Sequence, residues 1–233
     1  MKKELKLSVV IPVFNEKDTV MEIIEKVRTQ GIKKEIIIVD DGSRDGTRES
    51  LSKISTDDIK VVYHDKNYGK GRALRTGFAY ASGDIVIVQD ADLEYDPAEY
   101  PKLIEKIVEG KADVVYGTRF LGGPHRVFYF YHYLGNKIIN FIANLILNTN
   151  LTDMMTCYKV FTQAALKKIT LQADGFGIEA EITGEIFQKK LRVYEVPISY
   201  SGRTYQEGKK IKWKDFFVSL YWLLRVLTRK SPK

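Results

Sequence analysis

Asp90-Ala91-Asp92 stands where the apolar run Ile85-Val86-Ile87-Val88 ends, and Glu94 and Asp96 follow closely. Carboxylates grouped at a strand end offer hard oxygen ligands to a divalent cation, and such a cation is in turn a partner for phosphate. A lone Asp-x-Asp pair also occurs as a helix cap or a solvated turn, so its setting decides its meaning. Two more acid-rich turns supply that setting. Leu7-Ser8-Val9-Val10-Ile11-Pro12-Val13-Phe14 runs into Asn15-Glu16, and Glu35-Ile36-Ile37-Ile38-Val39 runs into Asp40-Asp41-Gly42-Ser43-Arg44-Asp45-Gly46-Thr47.

Positioning these acids requires parallel strands. Short apolar, β-branched-rich or alternating stretches, separated by stretches of helical period, predict strands over 7–13, 35–39, 60–64, 84–89, 112–116 and 191–200. Helices are expected over 18–29, 46–54, 70–81, 97–109, 126–147, 178–189 and 212–228, with Pro97 suited to a first turn. In a parallel sheet the strand ends share one side, so acids distant in sequence converge on one crevice. The reading is an α/β Rossmann-like domain with a mostly parallel central sheet over residues 1–210, followed by a basic amphipathic helix over 211–233.

VVIPVFNE, VDDGSRDGT, ASGDIVIVQDADLEYDP and YGTRF, in this order and spacing, resemble the nucleotide-diphospho-sugar domain of family 2 glycosyltransferases, the inverting GT-A type. Within that family the likeness is to dolichol-phosphate mannose synthases and related polyprenyl-phosphate glycosyltransferases. The resemblance implies that Asp92 ligates a cation, Mg²⁺ or Mn²⁺, with Asp90 near the ribose or the cation's outer shell and Glu94 completing the coordination. It implies a donor nucleotide held by Pro12, Phe14, Glu16, Asp40, Asp41, Asp90 and Ala91. Arg119 matches an arginine that faces the phosphates. Arg126, Arg203 and Lys209, on Gly-containing basic loops at 120–126 and 201–210, are expected to close as lids, Arg126 and Arg203 joining Arg119 on the acceptor phosphate. Asp153 falls where the resembled synthases carry an aspartate near the acceptor. Glu179 and Glu181 are further candidates for a base, with interaction at a helix N-terminus as the alternative. For Asp45 a capping role is preferred. The segment Arg203-Thr204-Tyr205-Gln206-Glu207-Gly208-Lys209 departs from the synthase pattern, which leaves donor and acceptor open.

The chain has 233 residues, 44% of them hydrophobic, enough for a sizeable core. Cys157 is its only cysteine, so no internal disulfide forms, and a small buried side chain is the preferred reading. No run reaches the ~20 apolar residues of a membrane span, and the first residues are too short and interrupted for a signal peptide. The formal charge of +7 is local: residues 203–233 hold nine basic against two acidic side chains, and the rest balances. No nucleic-acid motif accompanies this patch. Instead it flanks Trp213, Phe216, Phe217, Leu220, Leu224 and Leu227 at helical spacing, while Phe128-Tyr129-Phe130-Tyr131-His132-Tyr133 opens a second apolar helix with Asn136, Asn140, Asn144 and Asn148 as a polar stripe. Two such segments favour peripheral attachment to a membrane, with packing of the C-terminal helix on the domain as the alternative; the resemblance implies the cytoplasmic face and a membrane-embedded protein as a further partner.

The resulting expectation is metal-dependent, inverting transfer of a hexose from a nucleotide diphosphate, GDP-mannose or UDP-glucose, to a polyprenyl or dolichyl phosphate. A phosphate monoester is already anionic near neutral pH and needs no strong base, whereas a sugar hydroxyl does. No clear glutamate-aspartate base motif is present, so transfer to a sugar hydroxyl in surface polysaccharide is the alternative. A nucleotidyltransferase would show a Gly-rich phosphate loop after the first strand, and a binding module without catalysis would be expected to lose the Asp-x-Asp carboxylates.

Overall fold

The computed structural model describes residues 5–127, 129–204, 206–207 and 214–229. Among the described residues seven strands form one sheet: β1 (Leu7–Val13), β2 (Lys34–Asp40), β3 (Ile59–Tyr63), β4 (Ile85–Val88), β5 (Val114–Thr118), β6 (Lys159–Thr162) and β7 (Val193–Pro197), in the order β3-β2-β1-β4-β6-β5-β7. All neighbours are parallel except β6, which runs antiparallel to both β4 and β5. The strands were expected in these places within a few residues, apart from β6. Lys159-Val160-Phe161-Thr162 is too short and too polar at its ends for its pattern to stand out.

The helices are α1 (Val20–Arg28), α2 (Thr47–Leu51), α3 (Lys70–Tyr80), α4 (Tyr100–Val108), α5 (Phe130–Leu147), α6 (Gln163–Leu166), α7 (Ile178–Gln188) and α8 (Lys214–Thr228). Pro97 opens a 3₁₀ turn before α4, capped by Asp96 Oδ1 accepting from Ala98 N at 3.0 Å. Strand side chains alternate between faces, and the apolar runs divide accordingly. Val9, Ile11, Ile36, Ile38, Ile85 and Ile87 pack with α1 and α4, whereas Val10, Ile37, Val39, Val86 and Val88 pack with α3, α6 and α7.

A third cluster joins Ile139 and Ala143 of α5, Ala180 of α7 and Leu223 of α8. The C-terminal helix therefore docks on the domain. A Cβ at Gly177 would lie 2.2 Å from the Trp222 ring, so glycine is what lets α7 and α8 approach. Arg229 secures the far end, its Nη2 2.5 Å from Glu181 Oε1 and its Nη1 donating to Thr170 O at 3.1 Å. Glu181 is thus a structural anchor, remote from any role as base.

The polarity of α5 is inverted. Asn140 is buried, its amide donating to Leu151 O at 2.5 Å and its Oδ1 accepting from Met154 N at 2.8 Å; Asn144 also donates to Leu151 O. Asn140 and Asn144 of the expected polar stripe thus face the protein and brace the 151–154 turn. Phe141 and Leu145 point outward, 69% and 74% exposed, and Phe217, Tyr221 and Leu224 of α8 are exposed as well. Among the described residues no helix is long and apolar enough to cross a membrane.

Candidate active site

The carboxyl ends of β1, β2 and β4 open on one crevice of about 1070 Å³. Pro12, Phe14, Glu16, Asp41, Asp90, Ala91, Asp92, Glu94, Arg119 and Arg203 line it, so segments as distant in sequence as 12 and 203 meet there. The helices α5 and α8 also line it, mainly with the apolar Tyr131, Leu134, Ile138, Phe216 and Phe217, together with His132, Asn136, Asp215 and Ser219. The polar strand ends and the apolar helix pair belong to one continuous space.

The turn after β1 is tied to the turn after β2. Asn15 N donates to Ser43 Oγ, Glu16 N to Thr47 Oγ1 and Lys17 N to Asp45 Oδ2. Asp45 also accepts from Thr47 N at 3.0 Å, the structural role expected of it, although Gly46 occupies the N-cap position itself. Asp41 lines the crevice with both oxygens engaged, accepting from Gly69 N at 2.7 Å and Tyr68 N at 3.1 Å and pairing with His64 Nδ1 at 2.7 Å. It shapes the loop that leads into α3. Asp40 differs from expectation: it is fully buried outside the crevice, paired with Arg48 at 2.7 Å, because it is the last residue of β2 and points into the fold.

The three carboxylates after β4 have different surroundings. Asp90 meets the Lys70 ammonium, 2.8 Å from Oδ1 and 3.0 Å from Oδ2. Glu94 accepts from Arg203 N at 2.6 Å and from the Tyr200 hydroxyl at 2.8 Å. Asp92 accepts from Glu94 N at 3.1 Å. Burial, reinforced by the Asp90 and Glu94 charges, pushes the Asp92 carboxyl up to about 8, against the opposing pull of Arg203. Among the described residues no three Asp, Glu, His or Cys side chains stand close enough to hold a metal ion. The expected Asp90, Asp92 and Glu94 cage is therefore not preformed, since Lys70 and the 200–203 segment engage two of its members. Asp92, in excess negative charge at the crevice edge, fits one ligand of a hard cation that takes its other ligands from phosphate and water.

Arg119 and Asp153 form a buried bidentate pair, Nε to Oδ2 at 2.7 Å and Nη2 to Oδ1 at 2.8 Å, and Arg119 N also donates to Oδ2. Arg119 lines the crevice; Asp153, 1% exposed, lies behind it. This corrects the reading of Asp153 as a base near the acceptor: its oxygens are occupied and it orients the guanidinium. Glu195 holds the same turn, accepting from Thr152 N at 2.9 Å and Asp153 N at 3.1 Å.

Arg203 reaches across the mouth, Nη2 donating to Glu16 Oε2 at 2.8 Å and Nε to Asp92 O at 2.9 Å. It bridges the turns after β1 and β4, as a closed lid would, and lines the same crevice as Arg119. Arg126 is half-exposed, paired with Glu207 at 3.2 Å, and borders an adjoining 590 Å³ recess that shares Glu16, Asp92 and Arg203 with the crevice. It does not join Arg119 as expected, because the loop after Gly123 turns outward along Tyr200. Lys209 lies outside the described residues, as do Phe128, Lys210, Lys212 and Trp213.

Lys70, Lys159 and Cys157 were not anticipated here as functional neighbours. Lys159 is buried against Glu179 and the Thr156 carbonyl, and Lys70 lies 3.3 Å from Glu179 Oε1 and 2.9 Å from Cys157 Sγ. Glu179 thus sits between two ammonium groups, which disfavours it as a base. Cys157 lines the crevice, but burial and then the Asp90 charge push its thiol up, away from a nucleophilic thiolate.

Residues 8–170 match the family described as Glycosyl transferase family 2. A dolichol-phosphate mannosyltransferase of Pyrococcus furiosus is 33% identical over 229 residues, covering 96% of this chain and 64% of its own length. An undecaprenyl-phosphate 4-deoxy-4-formamido-L-arabinose transferase of Salmonella paratyphi B is 30% identical over 211 residues, covering 88% of the chain and 62% of its own. The chain thus spans less than two thirds of the length of these curated relatives. Glucosyl-3-phosphoglycerate synthase from Mycobacterium tuberculosis, solved with Mn²⁺, UDP and phosphoglyceric acid, superposes with a TM-score of 0.75 at 19% identity, covering 97% of this chain and 78% of that one. At that identity the likeness concerns the fold, a GT-A-like α/β sheet.

Proposed function

The chain belongs to glycosyl transferase family 2, and from that premise we propose that it moves a hexose from a nucleoside-diphosphate sugar to a polyprenyl phosphate, with inversion, at the cytoplasmic face of a membrane. The observation that carries the reading is the continuity of the crevice: the acid-lined strand ends, Arg119 and the largely apolar lining of α5 and α8 share one space. A charged donor and a lipid-phosphate acceptor need those two environments to touch.

In this reading the nucleotide lies along Pro12, Phe14, Glu16 and the Asp41-braced loop, and its diphosphate reaches Asp92. A divalent cation, when bound, offsets the charge that grows on the departing diphosphate; a protein of the same fold holds Mn²⁺ or Mg²⁺ beside UDP. Asp92 provides a carboxylate for it, and Arg203 closes the site and excludes water. Arg119, held rigid by Asp153, presents its guanidinium to phosphate. An anionic phosphate oxygen attacks the anomeric carbon without a base, which agrees with the engagement of Asp153, Glu179 and Glu181 in ion pairs. The relatives named for dolichol-phosphate and undecaprenyl-phosphate support the acceptor class.

The outward apolar sides of α5 and α8 suit an interfacial position, where aromatic rings settle at headgroup level. Nucleotide release across GDP- and UDP-sugars, with and without polyprenyl phosphate, tests the proposal. Release that rises strongly with the lipid is expected for one donor. Turnover on a soluble sugar acceptor without response to lipid phosphate would overturn the acceptor assignment.

A further inference from the structure

Asp90 is half of the Asp-x-Asp pair, yet its carboxylate faces an ammonium group. Lys70 Nζ lies within 3.0 Å of both its oxygens, and the pair is largely shielded from water, with side-chain exposures of 11% and 15%. A hard cation and an ammonium compete for the same oxygens. Lys70 also has a second acceptor within reach: Glu179 Oε1, 3.3 Å away, is buried and without a hydrogen bond among the described residues. Lys159 balances Glu179 from the other side.

We propose that Lys70 is a tethered counter-cation for Asp90, whose presence makes divalent-metal binding depend on the nucleoside diphosphate. The inference rests on the reading of Asp92 as a metal ligand. With Asp90 held by Lys70 and Glu94 by Arg203 N and Tyr200, a metal alone finds one available carboxylate, too few for firm binding of an ion that seeks about six oxygens. A diphosphate supplies the missing ligands, so metal and nucleotide bind together, and by linkage each strengthens the other equally. Departure of the nucleoside diphosphate then carries the metal with it, and the site does not retain an ion that would trap the product. Lys70 is a positioning residue in this scheme: it acts through Asp90.

The test measures free Mn²⁺ by electron paramagnetic resonance, with and without GDP or UDP, on the wild type, Lys70→Met, Lys70→Arg and the double variant Lys70→Met with Asp90→Asn. In wild type, nucleotide should tighten Mn²⁺ binding by about tenfold or more. Without nucleotide, Lys70→Met should bind Mn²⁺ about tenfold or more tighter than wild type, since a neighbouring positive charge has been removed from a shielded carboxylate. Lys70→Arg should behave as wild type, and Asp90→Asn should erase the gain. Thermal melts run in parallel; if Lys70→Met does not fold, Lys70→Gln carries the same expectation. Nucleotide-dependent Mn²⁺ binding in wild type with no tightening in the neutral variants would overturn the inference alone. Firm nucleotide-independent binding in wild type would also overturn it. No Mn²⁺ binding by wild type with either nucleotide would overturn the metal reading and the inference together.

Discussion

Two carboxylates at opposite edges of the sheet receive opposite treatment. Glu35, at the amino edge, accepts from Lys6 Nζ and Ser8 Oγ at 2.5 Å and from Ser82 N at 2.7 Å. Burial pushes its carboxyl up, but these bonds outweigh it and hold the group down to about 2. At the carboxyl edge, burial and two neighbouring carboxylates push Asp92 up to about 8. One group is satisfied by the fold, and the other is left in want of positive charge. A carboxylate that the fold leaves under-compensated marks a place where a ligand completes the structure.

Arg119 and Asp153 break the simple equation of edge with role, because they are a satisfied pair at the carboxyl edge, and they give the largest expected effect. Asp153→Ala leaves a guanidinium buried without its partner, at a cost of about 3–5 kcal/mol. Urea unfolding should show that loss, with transfer falling too because Arg119 is no longer oriented. A variant as stable as wild type would mean that the pair does not hold this region.

Asp92→Asn should do the reverse. Transfer is expected to fall about a hundredfold or more, since a ligand charge is removed, while stability without metal is retained or improved. The sign follows from linkage. With a folded value of about 8 against an ordinary 3.8, the folded state keeps a proton that the unfolded chain releases between those values. The carboxyl therefore lowers stability progressively as pH rises from about 4 to 8. Denaturation of metal-free wild type and variant at pH 5, 7 and 9 should show a gap in the variant's favour that widens with pH; a gap that is constant or of opposite sign would refute the account.

Arg203→Ala probes the strap across the same edge. Removing the bridge between Glu16 and the Asp92 carbonyl should slow transfer by about tenfold while weakening nucleotide binding less, because closure rather than donor affinity is lost. Equal losses in the two would assign Arg203 to the donor.

The nucleotide-facing half was legible because its signals are local. Each of β1, β2 and β4 is an apolar run followed by its own acids, and a parallel sheet gathers such ends without help from distant residues. The other half depends on partners that a single sequence does not display. In sequence Asp153 reads as a base, whereas in the fold Arg119 occupies its oxygens, and Asp40 reads as Asp41's equal although it faces inward. Lys70 looked like an ordinary helix residue, since its carboxylates lie 20 and 109 positions away. The asparagines of α5 were visible as a stripe, but which side of the stripe meets the protein depends on the 151–154 turn packed against it. The short antiparallel β6 escaped because its pattern holds too few residues to separate strand from loop.

Glu35→Gln gives the smallest effect and the sharpest control. A shift from 4.5 to about 2 would correspond to several kcal/mol in a dry interior, but the group is open enough to water that screening leaves about 1 kcal/mol. That stability is present above the ordinary value of 4.5 and is lost as pH falls towards 2, when the carboxyl takes up a proton and Lys6 loses its partner. The variant should therefore be about 1 kcal/mol less stable than wild type at pH 7, the difference closing below pH 4, with transfer within about twofold of wild type throughout its stable range. Urea unfolding at pH 3, 5 and 7, beside a transfer assay at pH 7, checks both halves. A large loss of transfer from Glu35→Gln in a folded protein would show that the amino edge is coupled to the chemistry, and the contrast between the two edges would then fail as a guide to where this molecule acts.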